Sequence, residues 1–104
     1  MATVKATFLL PVRDNDGRDL LPEIRRVRRG LWGRFHAYTI DGQAEGVYQM
    51  ADGTQASDIH MKISLILDDS RLGEIEEVLL DFKTKTTQET IYLEIVRDVE
   101  LRLV

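Results

Sequence analysis

The residues most capable of chemistry in this 104-residue chain are arginines. Arg25, Arg26, Arg28 and Arg29 form one basic run, with Trp32 and Arg34 close behind. Guanidinium groups grip phosphate oxygens and an indole ring stacks on a base, so Arg25, Arg26, Arg29, Trp32 and Arg34 form a candidate site for an anionic ligand or nucleic acid. With Ile24 taken as the buried direction of a helix, Arg25, Arg26 and Arg29 point outward and Arg28 flanks the apolar stripe. A plainer explanation competes. Cations suit a helix C-terminus, and arginine stems cover apolar surface.

The second set is built around two histidines, His36 and His60. His60 falls on a strand with Lys62, and Tyr92 and Glu94 fall on another strand expected to share its face. A histidine oriented by a carboxylate exchanges protons near neutral pH, so His60, Lys62, Tyr92 and Glu94 are the catalytic candidates if the protein is an enzyme. Two histidines and a glutamate also suit a divalent metal, but no short ligand spacing supports one and no metal site is assigned. Asp68-Asp69-Ser70 pairs carboxylates ahead of a helix, where capping explains them better than magnesium. Arg13-Asp14-Asn15-Asp16-Gly17 begins like a calcium loop but lacks the later ligands and the closing glutamate. No glycine loop suited to phosphate is present, since Gly30 and Gly33 flank Leu31 and Trp32 outside that context.

Composition narrows the rest. There is no cysteine, which removes disulfides, thiolate metal sites and thiol nucleophiles. Formal net charge is −4, so the chain as a whole does not attract nucleic acid or anionic lipid. The N-terminal apolar stretch is too short and too alternating for a signal-peptide core, and no run reaches membrane-span length. The expectation is one domain over 1–104, in the cytoplasm, with no cofactor and no membrane partner.

The elements that position these groups follow from periodicity. Val4, Ala6, Phe8 and Leu10 alternate with Lys5, Thr7 and Leu9, a strand that Pro11 ends. Asp14-Asn15-Asp16-Gly17 is a turn. Leu20, Ile24, Val27 and Leu31 make a helical stripe, with Asp19 as N-cap, Pro22 in the first turn and Gly30 as the stop behind which Leu31 folds back. Residues 34–50 are expected as strand broken by turns, with a hairpin or bulge at Asp41-Gly42. Asp52-Gly53 turns the chain into the strongest strand, where Ile59, Met61, Ile63, Leu65 and Leu67 alternate with His60, Lys62, Ser64 and Ile66. Leu72, Ile75, Val78, Leu79 and Phe82 form a second stripe, its glutamates early and its lysines late. Thr84 to Thr87 ends that helix. A last strand starts near Thr90 with Ile91, Leu93 and Ile95 on one face, and Val99, Leu101 and Leu103 continue it or add a short extra strand.

Strand, helix, strand, strand, helix, strand, with one apolar stripe per helix, implies two interlocked β-α-β units. The predicted fold is α+β and ferredoxin-like: two helices on one face of a four-stranded antiparallel sheet, first and third strands central, with a possible extra C-terminal strand. The alternative is another α+β meander. The helix face carries Val4, Ala6, Phe8, Ile59, Met61, Ile63, Leu65, Ile91, Leu93 and Ile95. The open face carries Lys5, Thr7, Leu9, His60, Lys62, Ser64, Ile66, Tyr92, Glu94 and Val96. RNA-binding domains of this fold place aromatic rings on the central strands. Lys5-Ala6-Thr7 and Lys62-Ile63-Ser64 stand there instead.

Five stretches carry a resemblance: Thr7 to Gly17, Asp41 to Tyr48, Ala51-Asp52-Gly53, Lys62 to Leu67, and Gln88 to Leu93. With this layout the chain resembles an uncharacterised bacterial family of small ferredoxin-like proteins, classed as a domain of unknown function. The resemblance implies the fold and carries no activity or catalytic residues. The chain departs from it in its basic first helix.

Leu9, Ile66, Tyr92 and Val96 leave apolar area on the open face, and the C-terminal tail offers a free edge, so a homodimer is expected. The leading functional expectation is a non-enzymatic dimeric binding or interaction module. One alternative is a small-molecule enzyme with its site on the open face at a dimer interface. The other is nucleic-acid binding through the arginine helix.

Overall fold

The computed structural model describes residues 2–104. Its elements are β1 (Thr3–Pro11), α1 (Leu21–Phe35), β2 (Thr39–Gln49), β3 (Gln55–Asp68), a 3-10 turn (Asp69–Arg71), α2 (Leu72–Thr84) and β4 (Tyr92–Val96). The strands form one sheet in the order β2-β3-β1-β4, and every neighbouring pair is antiparallel. This is the ferredoxin-like α+β arrangement, with β1 and β3 central.

The core follows from strand alternation. Val4, Ala6, Phe8 and Leu10 on β1 are fully buried, and their partners across β3 are Leu67, Leu65, Ile63 and Met61. Ile24, Val27 and Leu31 of α1 and Ile75, Val78, Leu79 and Phe82 of α2 close on that face. Burying a side chain the size of Phe8 or Phe82 stabilises the fold by about 2–3 kcal/mol each. Leu93 and Ile95 extend the layer across β4. Ile59 is a correction: it lies on the helix side of β3 but beyond the helices, and is exposed.

Helix α1 is longer than its glycine suggests. Gly30 was expected to stop it, yet the helix runs on to Phe35. A Cβ at Gly30 would stand 3.7 Å from a methyl of Val78, so the glycine sits where α1 approaches α2. Leu31 is consequently a core residue inside the helix and not a contact beyond its end. Residues 34 and 35, expected as strand, are helical. The helix ends at His36 in the left-handed conformation (φ 58°), its N–H donating to Trp32 O at 3.0 Å. Histidine is among the residues that tolerate that conformation. At the other end the N-cap position is Leu20, one residue after the expected Asp19, although Asp19 still accepts from the Leu21 N–H at 3.0 Å.

The Asp41-Gly42 signal is a bulge. The β2–β3 register shifts between Ile40 and Gly42, and Gly42 has φ 100°. Beyond it β2 and β3 outrun the rest of the sheet. Pro11, the end of β1, lies opposite His60, while β3 begins at Gln55. Residues 45–59 therefore form a two-stranded arm about 17 Å long on strand geometry. The molecule measures 47 × 25 × 24 Å.

The tail corrects another expectation. After β4 there is no further strand: Asp98 turns in the left-handed conformation (φ 57°), and Val99 N–H donates to Thr3 O at 3.4 Å. The chain leaves the line of β4 and passes the end of the open face beside Lys5 and Ile66. Leu101 and Leu103 stay exposed.

Candidate functional site

The register fixes where the open-face candidates stand. Lys62 lies opposite Leu9, and Leu9 lies opposite Tyr92. Lys62 and Tyr92 thus share a row but are two strands apart, about 10 Å on sheet geometry, with Leu9 between them. Glu94 belongs to the next row, with Thr7 and Ser64, and His60 to the row at Pro11 and Ala44. The four side chains do not converge. Thr7 and Ser64 are buried at the sheet centre between longer neighbours.

Tyr92 instead pairs along its own strand. Its hydroxyl donates to Glu94 Oε2 at 2.7 Å, and this bond raises the phenol above its ordinary range. His60 is half-buried over Gly46, whose Cβ would stand 3.4 Å from the ring, and His60 Nδ1 has no hydrogen-bond partner among the described residues. His36 lies at the far end of α1 in edge contact with Trp32, centroids 5.8 Å apart, on the opposite side of the sheet. Among the described residues no three histidine or carboxylate side chains gather as metal ligands would.

The acidic loops have structural roles. Asp68 caps the 3-10 turn, accepting from the Ser70 N–H at 3.1 Å and from the Ser70 hydroxyl, and these bonds lower its carboxyl. In the first loop Asp14 turns inward and is buried, while Asp16 accepts from the Arg18 N–H at 2.9 Å.

The arginine helix separates into two groups. On the side facing α2, Arg26 Nε donates to Asp81 Oδ2 at 2.8 Å and Arg34 to Glu77 Oε2 at 2.8 Å. Arg71 then binds Glu74 at 2.6 Å and stacks over Phe35 at 4.3 Å. Arg26 and Arg34 are thus committed to holding the helices together. On the other side Arg25, Arg28, Arg29 and Trp32 line a shallow groove of about 390 Å³, closed by Tyr38. Arg28 Nε donates to the Tyr38 hydroxyl at 3.1 Å. Trp32 is 59% exposed.

The structure brings Arg25, Arg29 and Trp32 of the candidates together and turns Arg26 and Arg34 toward α2; Tyr38, which closes the groove, was not among the candidates. Tyr38 comes from the linker after α1, so no helical spacing signals it. The hairpin at Asp52-Gly53 was expected, but not that its strands outrun the rest of the sheet. Its strands alternate weakly, and only their pairing in register, Glu45 with Ile59 through Gln49 with Gln55, makes that length visible.

No family model matches the sequence, and no curated protein matches it. Solved structures do. The divalent ion tolerance protein CutA1 from Ehrlichia chaffeensis superposes with a TM-score of 0.65 at 10% identity, over 96% of this chain and 84% of that one. The periplasmic divalent cation tolerance protein CutA from Archaeoglobus fulgidus gives 0.65 at 13% identity, over 97% and 87%. A phage SAM lyase in its apo state gives 0.60 at 16% identity, over 92% and 79%. At such identities the likeness is one of fold. The family resemblance seen in the sequence stands at that level: a ferredoxin-like α+β protein.

Proposed function

We propose that this protein is a non-enzymatic interaction module that works by self-association, two copies pairing through the free edge of β2 as a homodimer. One observation carries the proposal: among the described residues the arm at 45–59 has no helix or strand packed on either face. Val47 (54% exposed) and Ile59 lie on one face and Tyr48 (49% exposed) on the other. An isolated two-stranded ribbon is marginal in water, so the arm gains stability when a partner covers it. The charges of β2 are confined to Asp41 and Glu45; its last four residues, Gly46 to Gln49, hold no charge or proline to repel another strand. Two such edges, related by a two-fold axis, run antiparallel and continue the sheet.

The placing of Lys62 and His60 apart from the Tyr92–Glu94 pair, with Leu9 between Lys62 and Tyr92, supports the non-enzymatic part. The cytoplasm, one domain over 1–104 and membership of the bacterial family resembled above belong to the same reading. Among the described residues no helix is long and apolar enough to cross a membrane.

Sedimentation equilibrium over the micromolar range tests it. The expected result is twice the chain mass, reverting to the chain mass in Val47→Lys/Tyr48→Lys. A wild-type monomer at every concentration overturns the proposal. So does a dimer indifferent to both substitutions, because the contact would then lie elsewhere.

A further inference from the structure

Arg25, Arg28, Arg29 and Trp32 stand at i, i+3, i+4 and i+7 of α1, one stripe on the helix surface. Arginines at these spacings repel one another, and a helix gains nothing from placing them together. The helix dipole does not explain them either. Because α1 continues to Phe35, Arg25 lies in its second turn and Arg28 and Arg29 in its middle, away from the C-terminal turn that favours cations. Packing accounts only for Arg28, which lies against Tyr38.

The charges around them sharpen the point. The chain carries 18 acidic and 14 basic residues, and most of the other cations on the helical layer are answered. Arg26 meets Asp81, Arg34 meets Glu77, Arg71 meets Glu74 and Lys85 meets Asp81. Among the described residues Arg25, Arg28 and Arg29 have no carboxylate within 4.0 Å, and no acidic residue lines their groove, although Arg29 also borders the adjacent groove that holds Glu77 and Asp81. An acidic protein thus keeps one acid-free pocket with three guanidinium groups and two aromatic rings.

The geometry points to a nucleotide-binding groove. The ligand's base stacks on the exposed ring of Trp32 and its phosphate lies among Arg25, Arg28 and Arg29. Arg28 is held in place by Tyr38. From Trp32 to Arg28 and on to Arg25 the helix rises about 6 and then 10 Å, the reach from a base to its phosphates. The groove volume, about 390 Å³, is in the range of small-ligand sites. Stacking and phosphate contacts are the pairing that recognises a nucleotide without reading its sequence. The source is either a free nucleotide or a residue of single-stranded RNA.

Trp32 is the sole tryptophan, so its fluorescence reports directly on the groove. The full chain is titrated with ATP, with inorganic phosphate and with a short oligouridylate, the RNA across a salt series. Quenching by ATP or RNA, at least tenfold tighter than any response to phosphate, is expected. Arg25→Ala/Arg29→Ala weakens it tenfold or more, whereas Arg26→Ala, whose partner is Asp81, changes it less than twofold. Circular dichroism checks that each variant stays folded. Oligouridylate binding tighter than ATP and falling with salt assigns the strand as source; ATP binding as tight or tighter assigns the free nucleotide. No quenching by either at millimolar ligand and low salt overturns the proposal. Equal displacement by polyglutamate also overturns it, since mere counter-charge would then suffice.

Discussion

Thr87 and Asp14 lie 73 residues apart and meet through a buried carboxylate that accepts both the backbone N–H of Thr87, at 3.0 Å, and its side-chain hydroxyl. Gln88 Nε2 adds a third donor at 3.1 Å, the Asn15 N–H a fourth at 3.0 Å and Arg18 a fifth at 3.2 Å. The β1–α1 loop is thereby tied to the α2–β4 loop. That tie lies five residues ahead of Tyr92, where β4 begins. Burial opposes ionisation of this carboxyl, but the bonds from Thr87, Gln88 and Asn15 outweigh it and hold Asp14 well below the ordinary carboxylate range.

Asp14→Asn exchanges one acceptor oxygen for an amide that cannot receive those protons. Bonds to a charged group contribute about 1.5–3 kcal/mol, so a loss of about 2–3 kcal/mol in urea unfolding at neutral pH is expected. The pH dependence has a definite sign. A carboxyl depressed on folding stabilises the native state above its unfolded pKa, about 3.9, and that stability fades as pH falls toward the folded value. Wild type should weaken steadily from about pH 5 downward, and Asp14→Asn should lose much of that slope. Parallel slopes would show that Asp14 is not the group responsible.

How much of this was legible in the sequence depended on whether local and global signals agreed. β1 and the second half of β3 alternate cleanly because one face is buried, so Phe8 and Ile63 could be placed by parity alone. The α2 stripe from Leu72 to Phe82 was legible for the same reason. Gly30 misled because its helix penalty is local, about 1 kcal/mol, while the burial of Leu31 that carries the helix past it is tertiary. Asp14 looked like any turn aspartate, since Thr87 and Gln88, which set it apart, come from the far end of the chain. Of the candidate site, the arginine spacing was visible, but which arginines were already neutralised was not. Asp81 and Glu77 sit on another helix, and only packing matches them with Arg26 and Arg34.

The glycines divide by conformation. Gly33 is helical, with open space where a Cβ would stand, and at Gly30 a Cβ would make ordinary contact with Val78. Gly33→Ala should raise stability by about 0.5–1 kcal/mol and Gly30→Ala by a similar amount or less. Gly53 has φ 87° in the β2–β3 turn, so Gly53→Ala should cost about 1–2 kcal/mol through backbone strain. Thermal unfolding of the three variants checks the order. A destabilised Gly33→Ala would contradict the helical span of α1.

Leu31 offers a second check on that span. It is fully buried between α1 and the sheet, so Leu31→Ala should cost about 2–5 kcal/mol, as a cavity-forming core change does. Had the helix stopped at Gly30, Leu31 would be a capping contact and the loss would stay under about 1 kcal/mol. Denaturant midpoints at constant slope separate the two outcomes.

The last prediction bears on whether the open face can do proton chemistry. Two of the three tyrosines donate to carboxylates: Tyr92 to Glu94 at 2.7 Å and Tyr48 to Asp58 at 3.1 Å. Each bond favours the protonated phenol and raises it above the ordinary tyrosine value. A phenol raised on folding stabilises the native state below its unfolded pKa, about 10, and that contribution disappears as pH rises through the folded value. At neutral pH Tyr92 is therefore a locked donor and not a base. Ultraviolet titration should show two tyrosines ionising late. Glu94→Thr, whose side chain is too short to reach the phenol, should return one of them to the ordinary range and leave the other late. An unchanged profile in Glu94→Thr would mean that Tyr92 is free in solution, and the proton-exchange reading of this face would regain one of its four candidates.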